Sequence, residues 1–308
     1  MITDWPDGRR FAFTVFDDTD FATLDNMGEV YRLLADLGFR TTKSVWPLEG
    51  TQPGNCPGQT CEDPVYLNWV RQLREQGFEI GYHMATWHTS ARQDTIRALE
   101  RFEQLFGHPP VVMANHSDSQ ENIYWGTARL GGLNRLVYNL ATGFRYAGRY
   151  RGHVENDPMF WGDLCQQKIR YCRNFVFNNI NTLAACPFMP YHDPLRPYVN
   201  NWFASSEGSE AGAFNQLLSE KNQDELESEG GACIMYTHFA CGFVNQGKLN
   251  PRFRQLMERL ARKGGWYVPV STLLDRLAEQ NGRHVITNRE RTELERKWLR
   301  HKLLSGRP

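Results

Sequence analysis

What the chain lacks narrows its class first. No run of 18 apolar residues occurs, so nothing in it reads as a membrane span. Lys and Arg number 35 and Asp and Glu number 35, giving zero formal net charge. That balance argues against nucleic acid as a partner, because phosphate recognition usually leaves a basic excess. The opening MITDWPDGRRFAF carries no apolar signal core, so the expected location is cytoplasmic. No C-x-x-C pair appears among the seven cysteines, Cys56, Cys61, Cys165, Cys172, Cys186, Cys233 and Cys241. Free thiols are then the default. Cys56 and Cys61 flank a Pro/Gly-rich loop that suits a local disulfide, half of a zinc site, or two incidental thiols. There is no sequence repeat and no long disordered composition. The 308 residues, 41% of them apolar, suffice for one large α/β domain or two small ones.

What is present centres on FAFTVFDDTDFAT. Phe11, Phe13 and Val15 alternate as in a buried strand, which then runs into Asp17, Asp18 and Asp20. Like charges this close repel, and burial raises their pKa values. A divalent cation relieves both problems. An aspartate-rich turn capping the next helix is the other reading.

Along the chain, strands are expected over 10–16, 40–46, 78–82, 111–114, 135–140, 232–236 and 266–268. Helices are expected over 24–37, 65–76, 90–106, 119–130, 210–228, 251–263 and 271–280. This strand–helix rhythm implies a parallel sheet with crossover helices, in which chemistry gathers at the strands' C-terminal ends. The middle, 141–209, reads as an irregular insertion. Its Asn178, Tyr191 and Trp202 suit sugar hydroxyls and ring faces, though a proline-stapled surface loop reads equally well. The segment 283–308 holds eight Lys or Arg against three Glu, with Leu294, Trp298, Leu299 and Leu303 near one side of a helix. Such a basic helical tail either touches an anionic membrane surface or packs on its own domain or a sister subunit in a homo-oligomer. The domain division expected is 1–282 and 283–308.

Four expected strand ends carry ligand-type residues: Asp17 with Asp18, His83 with His88, Asn115 with His116, and His238. Asp and His together suit zinc or a similar divalent ion. The phrases VFDD, EIGYH ending at His83 and MYTHF around His238 resemble the polysaccharide deacetylase (NodB-homology, carbohydrate esterase) family. The likeness runs from Phe11 to Leu277. It implies a distorted (β/α)7 barrel and metal-dependent removal of an N-acetyl or similar acyl group from a sugar. By resemblance, Asp17 is the catalytic base, Asp18 and His83 are metal ligands, and His238 is the acid that protonates the leaving nitrogen.

The chain departs from the family pattern at Val15 and Thr19, which stand where the family has threonine and glycine, and at two further places. The second histidine is expected four residues after His83, where Trp87 stands, and His88 is one later. On a helix turning about 100° per residue these positions lie about 40° and about 140° round, so His88 needs an irregular segment to reach a shared metal. His116 or Asn115 would complete the site or bind substrate. The third-motif arginine that orients the base has no counterpart in MANHSD, and Arg92 is the candidate substitute. These departures suggest a divergent branch acting on a cytoplasmic sugar precursor, as in surface polysaccharide biosynthesis. The alternatives are an inactive glycan-binding relative and a hydrolase of another C–N bond, such as a deformylase.

Overall fold

The computed structural model describes residues 5–117 and 119–305, so the last three residues of the expected tail lie outside it. Eleven strands can be followed in chain order: β1 (Ala12–Asp17), β2 (Thr42–Val45), β3 (Glu79–Tyr82), β4 (Val112–Met113), β5 (Tyr171–Phe177), β6 (Tyr191–His192), β7 (Asn201–Glu207), β8 (Ala232–Thr237), β9 (Val244–Asn245), β10 (Lys248–Leu249) and β11 (His284–Val285). The helices are α1 (Leu24–Asp36), α2 (Pro64–Glu75), α3 (Arg92–Phe106), α4 (Gly132–Ala141), α5 (Gly162–Lys168), α6 (Thr182–Ala185), α7 (Ala211–Leu217), α8 (Glu220–Ser228), α9 (Pro251–Arg262), α10 (Val270–Asn281) and α11 (Asn288–Ser305).

Seven parallel strands close into a barrel in the order β1-β2-β3-β4-β5-β7-β8, and β8 returns to β1. The expected (β/α)7 barrel is therefore present. Its closure is a six-pair ladder from Ala12↔Ala232 to Asp17↔Thr237. Outside the ring, β6 runs antiparallel to β7 and β11 pairs with β6.

Period-two alternation sets the direction of each β1 side chain. Ala12 and Phe16 belong to one apolar cluster, in which the Phe16 ring meets Phe203 of β7. Phe11, Phe13 and Val15 belong to the cluster between barrel and helices, with Met27, Val30 and Leu34 of α1. Asp17 shares their parity and Asp18 does not.

Several expected elements differ. Residues 135–140 form part of α4, whose apolar positions recur at helical spacing but on an exposed face. Residues 119–130 hold only a 3-10 turn, Gly126–Arg129, because the Asn115 carboxamide binds both the N–H and the C=O of Ile123 and holds an irregular bend. The middle is not an insertion: it supplies the barrel strands β5 and β7. Residues 266–268 make a single bridge, Ala12↔Trp266. Residues 210–228 split into α7 and α8. The tail forms β11 and α11, and α11 lays Leu294, Trp298 and Leu299 into the same apolar cluster as Phe16. Its Glu295 accepts from Arg196 and from the Gly131 N–H, and Arg291 binds Asp193. No disulfide joins any of the seven cysteines among the described residues.

Candidate active site

The parallel register brings the C-terminal ends of β1, β3, β4 and β8 to one end of the barrel. A cavity of about 280 Å³ opens there, and Asp18, Asp20, His83, His116, Arg173 and His238 line it. A larger groove, about 550 Å³, lies at the opposite, N-terminal end beside Val111 and Tyr171, and its walls hold no carboxylate or histidine.

Asp20 is the hub. Its carboxylate lies 2.9 Å from His83 Nε2, 3.0 Å from His116 Nε2 and 3.5 Å from His238 Nε2. The far nitrogens of the rings are tied back. His83 Nδ1 donates to Ala114 O at 3.1 Å, His238 Nδ1 donates to Ser209 O at 2.8 Å, and His116 Nδ1 lies 3.2 Å from Ser119 Oγ. A carbonyl only accepts, so in the neutral tautomer His83 and His238 each turn a bare Nε2 lone pair toward a carboxylate. Such an arrangement needs a proton or a cation between the groups. Burial works to raise the Asp20 pKa, but the charge of His83 and the hydrogen bond from His116 outweigh it and hold the carboxyl well below its usual range.

Cys56 joins from the loop after β2. Its Sγ lies 3.0 Å from His116 Nε2. That loop lies flat on the chain beyond β1, where a Cβ on Gly58 would come within 2.8 Å of the Ala22 backbone. Two overlapping sets have geometry able to hold a metal ion: Asp20, Cys56 and His116, and Asp18, Asp20 and His238. Nitrogen, carboxylate and thiolate donors together match a borderline ion such as zinc.

Asp18 is gripped by an arginine. Arg173 of β5 forms a two-pronged pair with it, Nη1–Oδ1 at 2.8 Å and Nη2–Oδ2 at 2.5 Å, with both side chains buried. The guanidinium also lies 4.4 Å from the Tyr236 ring centroid. The backbone N–H of Asp18 donates to Thr237 O across the β1–β8 seam.

The expected residues divide as follows. Asp18, His83, Asn115, His116 and His238 all line the cavity. Asp17 does not: it faces the helices, where Tyr31 Oη and the Phe239 N–H each donate to it at 2.9 Å and Lys43 Nζ stands 3.3 Å away. Burial outweighs these partners and leaves its pKa raised. His88 turns from the site into the 50–54 loop, accepting from the Thr51 N–H at 2.9 Å, while Trp87 packs on Trp46. Arg92 pairs with Asp163 and takes no part. Asn178 is exposed beside a separate pocket, and Tyr191 and Trp202 are buried wall residues, so none of the three meets the cavity. Arg173 was not expected in the site; Asp20 was read only as a third carboxylate at the strand end, and Cys56 only with Cys61 as a disulfide, half of a zinc site or an incidental thiol. A charged residue inside the apolar run YCRNFVF was the available signal for Arg173.

Glu121 sits behind His116, fully buried, with Trp161 Nε1 donating to its backbone carbonyl at 2.6 Å. Burial raises its carboxyl from 4.5 to about 7, against the pull of Ser90 and His116. A carboxyl raised in the folded state lends stability that is full below its unfolded pKa and lost as pH rises through the folded value. Chemical denaturation of wild type and Glu121→Gln at several pH values should therefore show the difference moving in the variant's favour by about 3 kcal/mol between pH 4.5 and pH 7. Parallel stability curves across that window would contradict the burial argument.

Neither a family model nor a curated protein sequence matches the chain. Solved structures do. The chain is similar to a structure assigned as a polysaccharide deacetylase from Mycobacterium smegmatis, with 14% identity, 92% of this chain and 96% of that one covered, and a TM-score of 0.50. It is also similar to Puue allantoinase, at 10% identity, 90% and 93% coverage and a TM-score of 0.49. A peptidoglycan deacetylase from Bacillus subtilis gives 12% identity, 96% and 99% coverage and a TM-score of 0.42.

Proposed function

We propose that this chain, whose barrel is the fold of the Mycobacterium smegmatis polysaccharide deacetylase structure, is a metal-dependent hydrolase that removes an acyl group from the nitrogen of a sugar. The observation that carries the reading is the convergence of three imidazole Nε2 atoms on Asp20, beside a second carboxylate clamped by an arginine.

In this reading the roles given by resemblance to Asp17 and Asp18 pass to Asp18 and Asp20. Asp20, His83 and His116 would hold the ion, with Cys56 within reach of His116. Zinc suits these donors, and when bound it would supply Lewis-acid polarisation of the acyl carbonyl and an acidified water. Asp18 takes the attacking water's proton. Arg173 uses one lone pair on each Asp18 oxygen and fixes the carboxylate plane, which leaves the remaining lone pairs toward the cavity. His238, anchored at Nδ1 by Ser209 O, delivers a proton from Nε2 to the departing nitrogen. The narrow cavity, walled by Trp125, Trp298 and Tyr236, favours a single sugar residue over the interior of a polymer. A precursor for surface polysaccharide fits that size.

The test pairs metal content with turnover. Protein purified without chelator or affinity nickel is expected to carry near-stoichiometric zinc by elemental mass spectrometry and to release acetate from an N-acetylated sugar. Asp20→Ala should lose both. Wild type that holds no metal and takes none up on titration would end the hydrolase reading.

A further inference from the structure

Among the described residues, Arg129 is a buried cation with no anionic partner. It is 5% exposed and sits at the end of the 126–129 turn, its guanidinium 3.5 Å from the Trp125 ring centroid and 5.0 Å from that of Trp298. Its Nε and Nη2 have no hydrogen-bond acceptor, and no ion pair reaches it among the described residues. Burial pulls its pKa down to about 10. An ionised side chain in this state is costly unless something compensates it.

Arg129 lines the active-site cavity and also an annex of about 310 Å³ beside it. The two spaces share Ser117, Trp125, Arg129, Trp298 and Lys302. The annex adds Arg145 and Arg149 over a ladder of stacked Tyr138, Tyr146 and Tyr150, and none of its described lining residues is a carboxylate. Residues 122–154 contain five arginines and no aspartate or glutamate, in a chain whose net charge is zero. A forked guanidinium backed by further cations matches a multiply charged tetrahedral anion.

We infer that the annex is a phosphate subsite, in which Arg129 binds a phosphate ester carried by the same molecule whose acyl group faces Asp18 and Asp20. The second half of that statement rests on the hydrolase reading, whereas anion binding does not. Melting curves of the full chain with added inorganic phosphate or pyrophosphate provide the test. Both anions should raise the wild-type melting temperature, and the shift should persist in Asp20→Ala, where a metal-bound anion is ruled out. Arg129→Met should melt at or above wild type without anion and lose the shift. If that variant does not fold, Arg129→Lys keeps the charge without the fork and should weaken phosphate by about tenfold. No shift in wild type, a shift unchanged in the Arg129 variants, or a shift lost in Asp20→Ala would each overturn the subsite. Competition for the site by a soluble sugar phosphate or by a short-chain prenyl diphosphate supports it and identifies the carrier, and failure of both overturns it.

A second observation stands apart from the first. Leu133, Leu136, Val137, Leu140 and Phe144 form an exposed apolar stripe along and just beyond α4, with Leu133 79% and Leu140 63% exposed. Arg135 and Arg145 flank the stripe, and Leu303 and Leu304 of α11, the helix that packs on α4, are exposed as well. Apolar residues bordered by arginines and free of acids complement an anionic lipid surface. We infer that α4 lies on such a surface. Co-sedimentation should occur with phosphatidylglycerol vesicles and not with phosphatidylcholine, and should be lost in Leu136→Glu/Leu140→Glu. Absence of binding, or a stable dimer by light scattering that the double variant dissolves, would overturn this assignment.

Discussion

Asp18→Asn should lower turnover by about a thousandfold while leaving metal content unchanged, whereas folded Asp17→Asn should stay within about tenfold of wild type. The contrast follows from strand parity. Asp18 continues the inward face of β1 and meets Arg173 at the cavity wall. Asp17 continues the outward face and meets Tyr31, Lys43 and the Phe239 N–H. Asparagine at position 18 keeps the volume and can still accept a hydrogen bond from Arg173, but it cannot take a proton from water. Steady-state rates with elemental analysis on the same samples decide the matter. A dead Asp17→Asn beside an active Asp18→Asn would return the base to Asp17 and undo the assignment.

The second large effect concerns stability. Lys43 and Asp17 form a fully buried ion pair between β1 and β2. Both charges have left water, so removing one leaves the other uncompensated. Lys43→Met should cost about 3–5 kcal/mol and lower the melting temperature by about 10 °C. Adding Asp17→Asn should recover most of the loss, because the stranded carboxylate is gone. A double variant as unstable as Lys43→Met alone would show that lysine packing, and not charge, sets the cost. The result also separates the two aspartates, since neither change is expected to alter metal content.

The sequence showed where the site's residues come from more clearly than which way they point. The ends of β1, β3, β4 and β8 were legible because apolar runs stop at Asp, His and Asn. Inward and outward faces were not, because a parallel barrel under helices is apolar on both sides of each strand. Phe11, Phe13 and Val15 could face either layer, and with them Asp17. The strand β5 was hidden by its own chemistry: Arg173 interrupts the apolar pattern because it reaches Asp18 in the cavity, and Asn174 because it binds Tyr191 of β6 outside the ring. Ser205 and Ser206 hide β7 in the same way. His88 stood one residue past the family spacing and needed an irregular segment to reach the site; the chain after β3 does pass through Met84 at φ +67° and forms no helix there, but it bends the other way. Its ring is carried into the 50–54 loop, and His116, one strand over, arrives instead.

The join between β1 and β8 runs directly beneath the site. There the Asp18 N–H meets Thr237 O and the Phe239 N–H meets Asp17. One side of this join carries the proposed base and the other the proposed acid, more than 200 residues apart in the chain. Until the ring shuts, the two halves of the chemistry sit on opposite free edges of an open sheet. Contacts so distant carry a loop-closure cost that must be met before they form. In the proposed reading a copy whose ring is open lacks one half of the chemistry, so turnover would report that the barrel is complete.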